Sequence, residues 1–192
     1  MEYILLIVGA IFINNVILSQ FLGICPFLGV SSKVDTSIGM SGAVMFVLII
    51  STMITYLLYH YLLAPLNIAF MQTICFILVI ASLVQLVEII LKKVSPALFQ
   101  ALGIFLPLMS TNCAVLGVAI LAIQKNYSFT GSLAYAVGIS IGYGVAMVIF
   151  AGIREQMDLG KIPAAFKGVP IALITAGILA MAFMGFAGVV KM

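Results

Sequence analysis

The stretch Cys25-Pro26-Phe27-Leu28-Gly29 returns as Cys113-Ala114-Val115-Leu116-Gly117, so the pattern C-x-x-L-G occurs once in each half of the chain. Around both copies the sequence is almost entirely apolar. The 192 residues are 65% hydrophobic and 7% charged, with a mean hydropathy of +1.37, whereas a typical soluble domain carries about 25% charged residues. This is the composition of an integral membrane protein. Apolar runs near 3–24, 38–63, 66–91, 97–124, 131–153 and 170–190 each reach the roughly 20 residues that a membrane helix needs. An all-α protein with six transmembrane helices is expected, a single membrane domain over 1–192. The first run starts at Glu2 without a basic n-region and contains Asn14, Asn15, Ser19 and Gln20, so it reads as a mature helix rather than a cleaved leader.

The net charge of +3 is too small and too dispersed to suggest a nucleic-acid partner, but its distribution orients the chain. Loops one, three and five hold Lys33, Lys92, Lys93, Arg154, Lys161 and Lys167, whereas loop four and the C-terminus hold Lys125 and Lys191. The positive-inside rule then predicts cytoplasmic odd-numbered loops and both termini outside. Tyr56, Tyr59 and Tyr61 fall where an outer aromatic belt is expected, a role left to tyrosine in a chain without Trp.

The repeated motif divides the chain into units 1–95 and 96–192. Three crossings per unit is an odd number, so the second copy inserts upside down, giving two inverted three-helix repeats whose shared site lies where they meet. Glycines near the starts of crossings two and five (Gly39 and Gly42; Gly138, Gly142 and Gly144) support the relation weakly, since small residues also serve close helix packing. Crossings one and four read as broken helices. Asn14, Asn15, Ser19, Gln20, Gly23 and Pro26 interrupt the first, and Pro107, Ser110, Thr111 and Asn112 the second. Because a residue before proline is steered away from the α region, the first break is expected at Cys25, with Pro26 opening the next half-helix. Asn112 and its neighbours are expected to cap a helix that starts near Cys113. Each Cys is thereby placed near a helix N-terminus, where unpaired N–H groups and the dipole favour a thiolate or an anionic cluster.

Cys75, in apolar crossing three and without a repeat partner, reads as a packing residue. For Cys25 and Cys113, packing and metal ligation both remain open, while a disulfide gives no reason for broken helices with polar linings. Two thiolates are too few for a metal centre, because zinc and iron–sulfur sites usually take four ligands. His60 is the sole histidine and no acid lies near either Cys in sequence. Missing ligands must come from another chain, either a second copy or a related protein of opposite topology.

Asn14-Asn15, the run Phe21-Leu22-Gly23-Ile24-Cys25-Pro26-Phe27, Gly103-Ile104-Phe105-Leu106-Pro107-Leu108 and Thr111-Asn112-Cys113-Ala114-Val115-Leu116-Gly117 closely resemble the A subunits of Rnf complexes. The likeness continues through Ala151-Gly152-Ile153-Arg154-Glu155 and from Ile171 to Phe186, and so covers essentially the whole chain. The E subunits of sodium-pumping NADH:quinone reductases are close relatives. The resemblance implies a multi-pass subunit of an ion-translocating ferredoxin:NAD oxidoreductase in the inner membrane of a bacterial or archaeal cell, surrounded by lipid, with no activity of its own. It further implies that this chain and a homologous, oppositely oriented E subunit share an intramembrane [2Fe-2S] cluster, with Cys25 and Cys113 as two of its four ligands. The B, C, D and G subunits then supply the other centres. This chain has no nucleotide-binding fingerprint, so neither NAD nor flavin is expected on it.

An electron added to a buried cluster strengthens its attraction for a cation. Na+ or H+ is therefore expected to follow, and Asn14, Asn15, Ser19, Gln20, Ser110, Thr111 and Asn112 are candidate lining groups alongside carbonyls freed at the breaks. The same side chains equally serve to satisfy broken backbone. Glu88, the one acid within a crossing, has Lys92 four residues on, the spacing of an interfacial ion pair. Loop five, from Arg154 to Lys167, reads as a docking surface or a solvated connector. Two rivals need no redox centre: a secondary transporter, which also uses inverted repeats and broken helices, and a structural membrane anchor.

Overall fold

The structure, a computed structural model, describes residues 7–11, 15–66, 69–94, 100, 111–160, 163 and 166–187. Its described regular elements are all helical. A helical stretch 7–11 leads to α1 (Val16–Gln20), α2 (Ile24–Val30) and α3 (Val34–Leu58), which runs on through a π-helical turn at Tyr59–Leu63 and a last turn at Ala64–Leu66. A 3-10 turn, Ala69–Met71, opens α4 (Gln72–Val94), followed by α5 (Cys113–Gln124), α6 (Phe129–Asp158) and α7 (Val169–Ala187).

Among the described residues three helices are long and apolar enough to cross a bilayer, Val34–Leu63, Gln72–Ile90 and Phe129–Asp158, while Cys113–Gln124 and Val169–Gly185 are shorter apolar helices. The polar residues inside α3 do not break it, because their hydroxyls turn back onto the helix. Ser41 donates to the Ser37 carbonyl at 2.7 Å, Thr52 to Leu48 at 2.8 Å and Thr55 to Ser51 at 2.7 Å. In lipid, where water offers no alternative, such back-bonding lets hydroxyls sit mid-helix. Asp35 in the first turn of α3 complements the helix dipole, and Ser128 caps α6 by accepting from the Gly131 N–H.

The two chain halves interleave. α3 and α6 pack along each other more extensively than any other described pair; α1, from the first half, lies against α6 and α7, and α5, from the second, against α3 and α4. Met40, Val44, Val47 and Leu48 of α3 meet Ile139, Tyr143, Ala146, Met147 and Phe150 of α6 in one buried cluster that also holds Val115, Val118 and Ala119 of α5. Outward faces stay apolar, with Phe46, Ile74, Leu78, Leu173, Ile178 and Met181 exposed, as expected of surfaces that contact lipid.

Three expected boundaries are corrected. The first break lies at Phe21–Gly23, ahead of Cys25: Phe21 and Gly23 both take positive φ, 55° and 83°, and α2 begins at Ile24. Cys25 is its second residue and Pro26 its third. Proline is accommodated there because first-turn N–H groups have no intrahelical acceptor to lose. Crossing five extends to Asp158, so Arg154 belongs to α6, not to the following loop. Crossing three starts its α-helix at Gln72, and Cys75 sits half-buried in its first turn.

Candidate functional site

The second copy of C-x-x-L-G meets the chain break two residues ahead of the first copy, at Gly23. Its backbone N–H donates to the Sγ of Cys113 at 2.9 Å, which brings the first residue of α5 against the residue that caps α2. Cys25 is exposed and Cys113 half-buried, and both are free thiols. Among the described residues no group of three or more His, Cys, Asp and Glu is gathered in one place. The chain thus offers one exposed and one half-buried thiol and, among the described residues, no cluster of three such ligands.

Local sequence explains the meeting. α1 ends when the Phe21 and Leu22 N–H groups both return to the Val16 carbonyl, a closure that needs a left-handed residue. Phe21 fills that position although bulky side chains rarely adopt it. Gly23 follows with φ +83°, and a Cβ there would lie 3.0 Å from Ala114 Cβ, 3.1 Å from Tyr143 Cε2 and 3.2 Å from Asn112 Oδ1. Only glycine lets the break press so closely onto α5 and α6. Leu22 in turn covers Gly117, the glycine of the second motif, whose added Cβ would fall 2.7 Å from Leu22 Cδ1.

Two asparagines cap helices here in parallel fashion. Asn15 caps α1, its Oδ1 accepting from the Ile17 N–H at 3.2 Å, while its Nδ2 donates to the Gly142 carbonyl of α6 at 2.9 Å. Asn112 caps α5, its Oδ1 accepting from the Ala114 N–H at 3.0 Å. Both are buried. Glycines on α6 make room for the first segment: a Cβ on Gly142 would lie 3.1 Å from the Ile11 backbone, and one on Gly138 3.0 Å from Ala10. These two α6 glycines are packing contacts, whereas Gly42 faces open space.

α2 is clamped to α6 from the other side. Phe27 stacks on Phe150 with ring centroids 4.3 Å apart, a contact worth about 1 kcal/mol beyond its buried area. One turn on, Arg154 Nη1 donates to the Leu28 carbonyl at 2.7 Å and to Ser31 Oγ at 3.0 Å, placing a cation on the C-terminal carbonyls of α2.

Of the other candidate residues, Ser19, Gln20 and Thr111 are exposed, Ser19 donating to the Asn15 carbonyl at 2.9 Å. Asn14, Ser110 and Pro107 lie outside the described residues. Glu88 is half-buried on α4, four residues before Lys92. Sequence reasoning did not single out Tyr143 or the inward role of Arg154. Tyr143 is 1% exposed and lies beside Asn112 at the Gly23 turn.

A family model described as Rnf-Nqr subunit, membrane protein, matches residues 3–190. The A subunit of the ion-translocating oxidoreductase complex of Syntrophotalea carbinolica is 56% identical over 187 residues, 97% of either chain. The A subunit of the Na(+)-translocating ferredoxin:NAD(+) oxidoreductase complex of Acetobacterium woodii is 54% identical over 188 residues, 98% of either chain. The A subunit of an ion-translocating oxidoreductase complex from Pseudoalteromonas translucida is 53% identical over 190 residues, 99% of this chain and 98% of that one.

Proposed function

The chain belongs to the Rnf-Nqr family of membrane subunits, and on that premise we propose that it is the A-type subunit of an ion-translocating ferredoxin:NAD+ oxidoreductase complex, inactive by itself. Within the complex, Cys25 and Cys113 are two of the four ligands of a [2Fe-2S] cluster, and a homologous, oppositely oriented E subunit supplies the other two. The observation that supports this reading is the Gly23–Cys113 contact, which brings the first residue of the second motif against the break two residues ahead of Cys25. Cys25 is exposed, as a ligand shared with a partner has to be.

When bound, such a cluster supplies one-electron transfer. The chain's own residues prepare the place for it. Cys113 opens α5, so its sulfur sits at the positive end of a twelve-residue helix and also accepts the Gly23 N–H. Asn15 and Asn112 hold the breaks, and Phe27, Phe150 and Tyr143 pack the flank that faces α6, keeping water out. Each negative charge gained at the cysteine pair attracts a cation more strongly in this low-dielectric setting. Na+ or H+ then moves along the two breaks, lined by Asn14, Ser19, Gln20, Ser110 and Thr111, with Asn15 and Asn112 fixing the geometry. The interleaving of α1 on α6 and α7 with α5 on α3 and α4 supports two inverted repeats, and the apolar runs and loop charges support six crossings with both termini outside a bacterial or archaeal inner membrane. The B, C, D and G subunits are the remaining partners.

Iron analysis and EPR of the anaerobically purified complex test the reading. A [2Fe-2S] signal present in the parent and lost in both Cys25→Ser and Cys113→Ser is expected. A parental complex whose intramembrane iron signal persists in both variants overturns it, and transport without any redox dependence favours a secondary transporter instead.

A further inference from the structure

We propose that the end of a lipid acyl chain is bound in a hollow of about 140 Å³ between α7 and the α1–α2 break. The inference rests on the proposed crossing of α7 through the bilayer and is independent of what the cysteines hold. One wall of the hollow is the break, from Ile17 to Phe27, and the other is one face of α7, from Leu173 to Ala180. Phe21 and Leu173 are exposed, at 60% and 52%, and mark its mouth, whereas Ile17, Leu18 and Phe27 are buried and line its depth. Gly177 keeps the α7 wall low, since a Cβ added there meets nothing within 4 Å.

The chemistry of the walls selects hydrocarbon. The described lining side chains carry no hydrogen-bonding atom, and the hydroxyl of Thr175, on the same stretch of α7, is turned onto the Ile171 carbonyl at 2.8 Å. A water molecule needs about two to four polar partners to stay in a cavity, and a lipid headgroup would leave its polar atoms unpaired there. Left empty, the walls forfeit dispersion contacts. Depth in the bilayer makes the same selection. α7 has nineteen residues, a length of about 28 Å that matches a hydrocarbon core of about 30 Å. Gly177 is the ninth of them, about 12 Å from one end, which is near the middle of the core, where acyl chains end. The mouth is continuous with the lipid-facing surface of α7, on which Ile174, Ile178 and Met181 are exposed. The volume compares with the cavity of about 150 Å³ that takes up benzene, so it admits the tip of one chain and not a whole lipid.

The test reconstitutes the whole complex in phosphatidylethanolamine vesicles doped with a phosphatidylethanolamine that carries a carbene-generating diazirine at the end of one acyl chain. After irradiation, adducts are mapped by peptide mass spectrometry. Adducts are expected on Ile17 and Leu18, which lipid reaches through the hollow, as well as on Ile178 and Met181 of the outer face. With the diazirine placed beside the glycerol instead, the adducts on Ile17 and Leu18 are expected to be lost. Gly177→Leu and Ala176→Leu put the protein's own hydrocarbon at the hollow and are expected to abolish the same two adducts while Ile178 and Met181 label as in the parent. Adducts confined to Ile178 and Met181 in the parent overturn the inference, because the hollow is then closed or covered by a partner subunit. Unchanged labelling of Ile17 and Leu18 in both filled variants also overturns it. Should neither variant assemble, the two label depths in the parent decide. Absence of adducts on Ile178 and Met181 as well overturns the crossing of α7 itself.

Discussion

The Gly23 N–H donates to Cys113 Sγ across 2.9 Å, a bond between residues 90 positions apart. It ties the residue that caps α2 to the first residue of α5, from the other half of the chain. Anything that moves Gly23 moves the sulfur of Cys113. The bond also depends on the absence of a side chain at Gly23, because three groups from α5, its cap and α6 already occupy that space.

Gly23→Ala is expected to cost about 2 kcal/mol or more, from left-handed backbone strain together with contacts at 3.0–3.2 Å. A lowered thermal midpoint of the detergent-solubilised complex checks this, together with loss of the [2Fe-2S] signal. A variant with parental stability contradicts the wedge geometry.

Asn15→Ala removes the α1 cap and the bond to the Gly142 carbonyl at once. Loss of about 1–3 kcal/mol is expected. Asn15→Asp keeps the capping oxygen but not the donor, so on a thermal-unfolding series it should still fall below the parent.

Arg154→Ala leaves the Leu28 carbonyl and buried Ser31 without their charged donor. A cost of about 1.5–3 kcal/mol is expected for a charge-assisted bond, and Arg154→Lys should restore only part of it, since one ammonium replaces a planar fork. Protease accessibility of the 24–33 segment, compared across the three proteins, reads this out.

Gly142→Ala and Gly177→Ala form a contrasting pair. The first drives a methyl to 3.1 Å from the Ile11 backbone, whereas the second meets nothing within 4 Å. The first is expected to destabilise by about 1–3 kcal/mol, the second to be neutral or slightly stabilising through helix propensity. Equal unfolding midpoints for the two would contradict the close packing of segment 7–11 on α6.

Much of the fold was legible because lipid imposes a coarse rule on sequence. A long run of apolar residues in lipid has to be a helix, and the runs near 38–63, 66–91 and 131–153, which overlap Val34–Leu63, Gln72–Val94 and Phe129–Asp158, were visible at once. The first break was visible as polar residues inside such a run, and the capping of α5 by Asn112 followed from its side chain. The exact place of the first break was not. Proline at 26 pulled the expectation to Cys25, although the chain turns at Phe21 and Gly23, and a phenylalanine in a left-handed conformation carries no local sequence signal. Tyr143 and Arg154 were also illegible, one as an apolar-looking residue in a glycine-rich helix, the other as a charge next to a loop.

By itself the sequence determined the class of the protein, its helices and the pairing of two cysteine motifs, since hydropathy and short motifs are local properties that any order of packing preserves. Tertiary structure alone decided that the Cys113 sulfur accepts the Gly23 N–H and that Arg154 faces inward onto α2. Those outcomes depend on distances between residues about 90–130 positions apart. They were fixed only when α1 and α5 each packed against the other half of the chain, because a donor's partner is set by what packing brings within 3 Å, not by its neighbours in sequence.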